Sequence, residues 1–249
     1  MITKEELNEA KIKRKTNLYY EEKEYLQYIF LKSISKFSEN FIFKGGTCLR
    51  ICHGYERASE DLDFNANLEI KKIKEIVKES LKNFEMLNIE YQIISEKEFE
   101  GNLRFEIRFK GPLYSGNPSS TNTLKIDFNK GKARYKIAKA IPKLFSDVPV
   151  FTIFLMEEKE ILAEKIRALV NRAEARDLYD IWMLLQNKIS FDKAFIKEKL
   201  KEEKSDISKL SFPSKEEYTA SLKPLLTTYL PPYEQVKKEV EEALIPLRS

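Results

Sequence analysis

The chain has 249 residues, which is enough for one sizeable domain or for a domain with a helical extension. Charged side chains make up 34% of it and the net charge is only +4, so the composition excludes a strongly basic domain that would bind nucleic acid by charge alone. Without an apolar run of about 18 residues or the apolar segment of a secretory signal, the sequence predicts a cytoplasmic protein with no membrane span.

Helical spacing of apolar side chains characterises the first forty residues, and short strand patterns follow. Strands are predicted at residues 41–44, 61–65, 89–95, 103–109, 124–129 and 150–155. A helix is predicted at 69–84, a long loop at 111–120, and helices from 157 almost to the end. The pattern predicts an α+β catalytic half, residues 1–150, and a mostly helical second domain, residues 151–249.

Gly45 and Gly46 lie between the predicted strand Phe41–Lys44 and a helix predicted to begin at Cys48. Glycine allows the backbone to approach a ligand closely, and the N–H groups at the start of a helix suit anions. Thr47 is expected to cap the helix or to offer its hydroxyl to a phosphate. The segment therefore predicts a site for a polyphosphate.

Three aspartates are predicted on the polar faces of two strands. Asp61 and Asp63 would share one face about 7 Å apart, and their mutual repulsion would be relieved by a divalent cation. Oxygen ligands of this kind suit Mg²⁺, which usually takes one or two carboxylates together with phosphate and water. If the strand carrying Asp127 is a neighbour, at about 4.8 Å, the three carboxylates would hold the metal and activate a hydroxyl nucleophile.

Cys48 and Cys52 are the two cysteines of the chain. Four residues apart on one predicted helix, they are poor disulfide partners and are interpreted as reduced apolar fillers. Because His53 is the single histidine, a zinc site at these cysteines is disfavoured.

On the helix predicted at 157–172, Lys165 and Arg172 follow one line, which Arg176 would continue if the helix extended that far. Such a line of cations could neutralise the charge of a triphosphate. The alternative is a set of surface cations balanced by neighbouring glutamates. Asp177 is interpreted as an N-cap or as an ion-pair partner of Arg176.

An ordered set of motifs from about residue 41 to 185 resembles the AbiEii/AbiGii-type toxin family of the DNA polymerase β-like nucleotidyltransferase superfamily. The motifs are the Phe-Lys-Gly-Gly-Thr-Cys-Leu-Arg run at 43–50, the Arg-Ala-Ser-Glu-Asp-Leu-Asp-Phe run at 57–64, the Ala-Glu-Lys segment at 163–169 and the Arg-Asp-Leu-Tyr-Asp-Ile segment at 176–181. The resemblance implies a mixed β-sheet flanked by helices, followed by a helical domain that contributes to the site.

The resemblance also assigns roles to the candidate residues. The implied catalytic residues are Asp61, Asp63, Asp127 and Lys165, of which the three aspartates would also be the metal ligands. The implied nucleotide-binding residues are Lys44, Gly45, Gly46, Thr47, Arg57, Lys165 and Asp180. For Arg57 the alternative is a structural ion pair, and for Asp180 it is support of Lys165.

The activity implied by the resemblance is transfer of a nucleoside monophosphate from an NTP to an acceptor hydroxyl, with release of pyrophosphate and with Mg²⁺ or, alternatively, Mn²⁺. The family implies a toxin of a toxin–antitoxin, abortive-infection or phage-defence system, with an antitoxin as partner. Because relatives in the superfamily add nucleotides to tRNA 3′ ends, tRNA is the expected acceptor. The alternatives are AMPylation-like transfer to a protein hydroxyl and a non-catalytic nucleotide- or RNA-binding module.

Overall fold

The computed structural model describes residues 1–227 and 229–248, which form two compact units. The first unit consists of residues 1–54 and 58–156, and the second consists of residues 55–57 and the chain from Glu157 onward. The strand predicted at 150–155 therefore lies in the first unit, beyond the predicted domain limit at residue 150. Within the described ranges, no helix is long and apolar enough to cross a membrane.

The first unit is a mixed β-sheet with helices. Its helices are α1 (Lys4–Arg14), α2 (Leu18–Ile34), α3 (Gly45–His53) and α4 (Ile70–Met86). Its strands are β1 (Phe41–Lys44), β2 (Asp61–Ala66), β3 (Glu90–Phe99), β4 (Asn102–Lys110), β5 (Asn122–Lys130), β6 (Lys136–Ile141) and β7 (Phe151–Met156). The strand order is β3-β4-β5-β2-β1-β7-β6, with β2–β5 and β1–β7 parallel and the other neighbours antiparallel. The predicted α+β class with a mixed sheet is confirmed.

Strand β6 was not predicted from the sequence. It pairs with β7 at the end of the strand order, and four of its six side chains are exposed. An edge strand with little buried surface needs no strict alternation of apolar and polar side chains, which is the signal that predicts strands.

Phenylalanines pack on one face of β1, β2 and β5. The rings of Phe64 and Phe128 stack with centroids 5.3 Å apart and planes at 15°, and Phe41 contacts Phe128 edge-on at 5.4 Å. All three side chains are buried. Because neighbouring residues of a strand point to opposite faces, burial of Phe64 and Phe128 turns Asp63 and Asp127 to the other face of the sheet.

Buried polar side chains of α2 hold the beginnings of the two strands that carry the aspartates. Lys23 Nζ donates to the backbone carbonyl of Thr123 at 2.7 Å, where β5 begins. Gln27 Nε2 donates to the carbonyls of Ser59 and Glu60, both at 3.1 Å, immediately before β2. A buried polar group is stable only when it is hydrogen-bonded, so these contacts define the position of both strands against α2.

Glu22 of α2 anchors the loop predicted at 111–120. Its carboxylate accepts from the backbone N–H of Leu113 at 2.7 Å and from Asn122 Nδ2 at 3.1 Å. A Cβ atom on Gly111 would lie 2.7 Å from Glu22 Oε1, so glycine permits the close approach of the loop. Burial raises the pKa of Glu22, against the opposing effect of these hydrogen bonds.

The second unit contains α5 (Glu158–Arg172), α6 (Ala175–Gln186), α7 (Lys193–Glu202), α8 (Lys215–Leu222) and α9 (Tyr233–Leu244). Helix α5 ends at Arg172 because Ala173 has a left-handed backbone with φ of 50°. The predicted line of cations therefore stops before Arg176, which belongs to the next helix. Glu174, rather than Asp177, is the N-cap residue of α6.

We expect the variant Glu22→Ala to loosen the 111–120 loop, because it leaves the Leu113 N–H without its acceptor and removes one of the two acceptors of the Asn122 amide. Loss of hydrogen bonds to a buried charge should reduce the free energy of unfolding by about 1–3 kcal/mol. Hydrogen exchange should accelerate at the Leu113 amide. The control Glu9→Ala replaces an exposed glutamate of the same unit and should leave that exchange unchanged; equal rates in both variants would contradict the anchoring role.

Candidate active site

The three candidate carboxylates of the first unit lie on one face of β2 and β5. The parallel pairing sets Asp63 opposite Asp127, and Asp61 is two residues earlier on β2. Paired residues of neighbouring strands point to the same face at about 4.8 Å, so Asp63 and Asp127 are direct neighbours. The condition on which the predicted triad depends, adjacency of the two strands, is therefore met.

Gly45 lies against Asp63. A Cβ atom on Gly45 would be 2.5 Å from Asp63 Oδ2, and the φ of +78° is also one that glycine adopts readily. Helix α3 begins at Gly45, three residues before the predicted start, so both glycines are in its first turn. The N-terminal end of α3 and the carboxylate cluster are consequently adjacent within the first unit.

Thr47 has a structural contact in place of the predicted cap. The N-cap residue of α3 is Lys44, so the prediction that Thr47 caps the helix is wrong, because the helix starts earlier than the sequence pattern indicated. Thr47 is buried, and its hydroxyl donates to the backbone carbonyl of Asp61 and hydrogen-bonds with the Ser59 hydroxyl at 2.9 Å. These bonds join α3 to the beginning of β2.

Lys44 is placed by register beside the same carboxylates. It is paired with Asp63 across the antiparallel β1 and β2, and paired side chains share a face of the sheet. The residue is buried and is the last of β1. A cationic side chain beside the Asp63 and Asp127 carboxylates reduces the repulsion between them.

Arg104 is a residue of this face that the sequence analysis did not identify. It is paired with Asp127 across β4 and β5, and its Nε donates to Asp127 Oδ1 at 2.7 Å. This hydrogen bond and attraction by Asp127, Asp61 and Asp63 raise the pKa of Arg104. Alternation within 103–109 places Arg104 on a polar strand face, but only the β4–β5 register shows that Asp127 is its neighbour.

The oxygen ligands of this face have the donor chemistry that Mg²⁺ prefers. Within residues 1–227 and 229–248, no group of three or more His, Cys, Asp or Glu side chains is arranged to hold a metal ion. Mg²⁺ usually takes only one or two carboxylates and fills its other positions with phosphate and water. The predicted metal site of three carboxylates is thus not found among these residues, whereas the strand register makes Asp63 and Asp127 direct neighbours.

In the second unit, Arg57 and Asp180 form a buried bidentate ion pair. Arg57 Nε lies 2.9 Å from Asp180 Oδ1, and Nη2 lies 2.8 Å from Oδ2. Only about 4% of either side chain is exposed. The ion pair named as the structural alternative for Arg57 is thus present, and it links Arg57 to Asp180 within the second unit.

Lys165 completes this buried network. Its Nζ lies 2.9 Å from Asp177 Oδ1 and 2.8 Å from Asp180 Oδ2, and Arg172 Nε contacts Asp177 Oδ2 at 2.8 Å. Asp177 is therefore paired with Lys165 and Arg172, and Arg176 contacts Glu174 at 3.8 Å. Asp180 contacts Lys165 directly, as the support alternative predicts.

The charges of the network shift one another's pKa values. Burial alone would raise the pKa of Asp180, but attraction and hydrogen bonds from Arg57 and Lys165 outweigh it and lower that pKa to about 2. Burial likewise would lower the pKa of Lys165, whereas attraction by Asp180 and Asp177 produces a net increase. Asp180 and Lys165 are therefore both charged at neutral pH.

Comparison with known proteins supports the resemblance seen in the sequence. Residues 29–244 match the family model described as nucleotidyl transferase AbiEii toxin, type IV toxin–antitoxin system. Among curated proteins, none matches the chain.

Solved structures share the fold at low sequence identity. MenT4, a nucleotidyltransferase toxin from Mycobacterium tuberculosis H37Rv, is 18% identical with a TM-score of 0.62, and the match covers 100% of both chains. JHP933 from Helicobacter pylori is 20% identical with a TM-score of 0.58, also over 100% of both chains.

The variant Gly45→Ala should perturb the carboxylate cluster, and Gly54→Ala provides a control with the same backbone strain. Gly54 has a φ of +76°, and a Cβ there meets no described atom within 4 Å. We expect Gly54→Ala to cost about 1–2 kcal/mol of unfolding free energy, and Gly45→Ala to cost about 1–3 kcal/mol more because its methyl group collides with Asp63. Equal losses in urea denaturation would contradict the close contact.

Asp180 should make stability depend on acid pH. A carboxyl group whose folded pKa, here about 2, is below its unfolded value of about 3.9 stabilises the protein above the unfolded pKa and loses that effect as the pH falls through the folded pKa. The wild type should lose about 2 kcal/mol from this group between roughly pH 5 and pH 2.

Urea denaturation across this pH range measures the effect. The free energy of unfolding of Asp180→Asn should fall less steeply with acidification than that of the wild type. The control Asp192→Asn, at the N-cap of α7, should keep the wild-type free energy of unfolding at neutral pH because asparagine caps a helix as well as aspartate does. A wild-type slope in Asp180→Asn would show that the network does not depress this pKa.

Proposed function

Because the chain belongs to the AbiEii family of nucleotidyl transferase toxins of type IV toxin–antitoxin systems, we propose that it transfers a nucleoside monophosphate from an NTP to a hydroxyl at the 3′ end of a tRNA. The observation that carries this proposal is the β2–β5 register, which sets Asp63 beside Asp127, with Gly45 at the start of α3 against Asp63. Acidic oxygens next to the N-terminus of a helix suit a magnesium-bound polyphosphate.

In the proposed reaction, the acceptor hydroxyl oxygen forms a bond to the α-phosphorus of the NTP. The bond from that phosphorus to the bridging oxygen breaks, and pyrophosphate leaves with the electron pair. Asp127 accepts the proton of the attacking hydroxyl and passes it to solvent. The N–H groups of Gly45 and Gly46 bind phosphate oxygens, since those amides are in the first turn of α3.

Asp63 and Asp127, with Asp61 two residues earlier on the same face, would hold Mg²⁺, or alternatively Mn²⁺. When bound, this ion supplies stabilisation of the negative charge that develops on the phosphoryl oxygens. Lys44 shares the face of Asp63 by register, which supports its predicted place in nucleotide binding. The Thr47 hydroxyl is hydrogen-bonded to the Asp61 carbonyl and to the Ser59 hydroxyl, which supports a positioning role for it.

For the second unit we propose that Asp180 and Asp177 position the Lys165 ammonium, which both contact. Binding of the NTP triphosphate by Lys165 stays a prediction from the family motif. Arg57 is held by both oxygens of Asp180, which supports a positioning role rather than direct phosphate binding.

The type IV toxin–antitoxin family implies an NTP substrate and an antitoxin partner. We further propose that the toxin acts in phage defence and works in the cytoplasm, where NTPs and tRNA are found. Transfer to tRNA would remove a functional acceptor end from translation, which is a direct route to growth arrest.

A radiolabel assay tests the proposed reaction. Each α-³²P-labelled NTP is incubated with the protein and Mg²⁺, in one series with total tRNA and in another with ribosome- and tRNA-depleted cell proteins. We expect label in tRNA, and a decrease of roughly a hundredfold or more in Asp63→Asn, because that variant loses a carboxylate that would hold the metal ion. Glu75→Gln, on the surface of α4, should keep the wild-type rate.

The two acceptor classes give opposite results in this assay. Label in protein and none in RNA would overturn the choice of tRNA while retaining nucleotidyl transfer. Absence of label in both series, or equal labelling by the wild type and Asp63→Asn, would overturn the proposed chemistry.

A further inference from the structure

Arg104 places a guanidinium group at the carboxylate cluster, although the proposed reaction does not use it. The β4–β5 register pairs Arg104 with Asp127, and Arg104 Nε lies 2.7 Å from Asp127 Oδ1. Asp61 and Asp63 also attract the guanidinium. One of the two oxygens that Asp127 would offer to a cation is thus already bound to a cationic group of the chain.

The ion pair between Arg104 and Asp127 has a defined geometry, but a competing ion can displace it. The Asp127 side chain is only 10% exposed, whereas that of Arg104 is 50% exposed. The guanidinium carbon lies 5.8 Å from the centroid of the Phe99 ring, at the end of the β3–β4 hairpin, which gives the arginine a second contact. An ion pair with one partner half in solvent contributes little net free energy, so a competing ion can displace it.

We propose that Arg104 is an internal counter-ion that competes with the divalent cation for Asp127 and so weakens metal binding in the absence of nucleotide. The inference rests on the proposed function, which makes Asp127 a metal ligand. In the metal-free protein Arg104 offsets the repulsion among the carboxylates. A divalent ion must then displace the guanidinium from Oδ1 or bind against its repulsion.

Other cations lie on the same face, but their register gives them other partners. Lys44 is paired with Asp63, and Lys125 is paired with Asp61 on one side and with Glu106 on the other. Arg104 is the cation paired with Asp127. Its removal should therefore change metal binding through Asp127 while the cations beside Asp61 and Asp63 are retained.

The strand supplies a matched control. Arg108 lies four residues along β4 on the same face as Arg104, and it is paired with Thr123 instead of an acidic residue. Arg104→Gln and Arg108→Gln thus remove the same charge from the same strand. The two arginines are about 13 Å apart along the strand, so only the first variant removes a guanidinium from the carboxylate cluster.

Mn²⁺ binding without nucleotide is measured by titration calorimetry and by the electron paramagnetic resonance signal of the free ion. We expect the Mn²⁺ Kd of Arg104→Gln to fall on the order of tenfold relative to wild type, which corresponds to about 1.4 kcal/mol, and that of Arg108→Gln to stay at the wild-type value. Arg104→Lys keeps the charge and should stay near the wild type. The increase in melting temperature with Mn²⁺ over EDTA should be largest for Arg104→Gln.

The possible outcomes separate this inference from the proposed function. If Arg104→Gln binds Mn²⁺ no more tightly than wild type while Asp63→Asn loses binding, the metal site stands and the counter-ion role is refuted. If Arg108→Gln tightens Mn²⁺ binding as much as Arg104→Gln, the effect comes from removing any positive charge from β4. The role of the contact between Arg104 and Asp127 is then refuted. If wild type and Arg104→Gln both fail to bind Mn²⁺ without nucleotide at millimolar concentration, the competition is refuted, whereas the proposed function is still decided by the labelling of tRNA in wild type and Asp63→Asn.

Discussion

The parallel pairing of β2 with β5 is the constraint on which the first unit depends. It brings Phe64 onto Phe128 on one face and Asp63 beside Asp127 on the other. Burial of the aromatic pair is favourable, and because side chains alternate along a strand, it forces the acidic pair together. The core therefore holds the carboxylates in a position that their mutual repulsion would otherwise oppose. Arg104, bound to Asp127, offsets part of that repulsion.

The surroundings of the carboxylates are organised by buried polar contacts rather than by apolar packing alone. Gln27 and Lys23 of α2 bond to backbone carbonyls where β2 and β5 begin, and Thr47 of α3 bonds to Asp61. Hydrogen bonds are directional, so they locate a strand along its own axis more closely than apolar contact does. Gly45 completes the arrangement, because a Cβ atom at this position would force the Asp63 carboxylate to move.

The second unit uses a buried ionic network for a similar purpose. Asp180 holds Arg57 and Lys165, and Asp177 holds Lys165 and Arg172. Removing one member of such a network leaves a buried charge unpaired, which is strongly unfavourable. Arg57 lies about a hundred positions before the rest of the second unit in the sequence, and its bidentate pair with Asp180 links it to α6. The family motifs of this unit therefore supply residues that position one another.

Local patterns in the sequence determined the strands β1, β2, β4 and β5, the placement of Asp61, Asp63 and Asp127 on polar strand faces, and, through the ordered motifs, the family and the α+β class. Only the tertiary structure decided that Asp63 adjoins Asp127, that Arg104 binds Asp127, that α3 begins at Gly45 and that Asp180 joins Arg57 to Lys165. Periodicity along a chain reports which face a side chain occupies. The partner across a sheet or between helices depends on packing among distant segments, and one sequence carries no local signal for it.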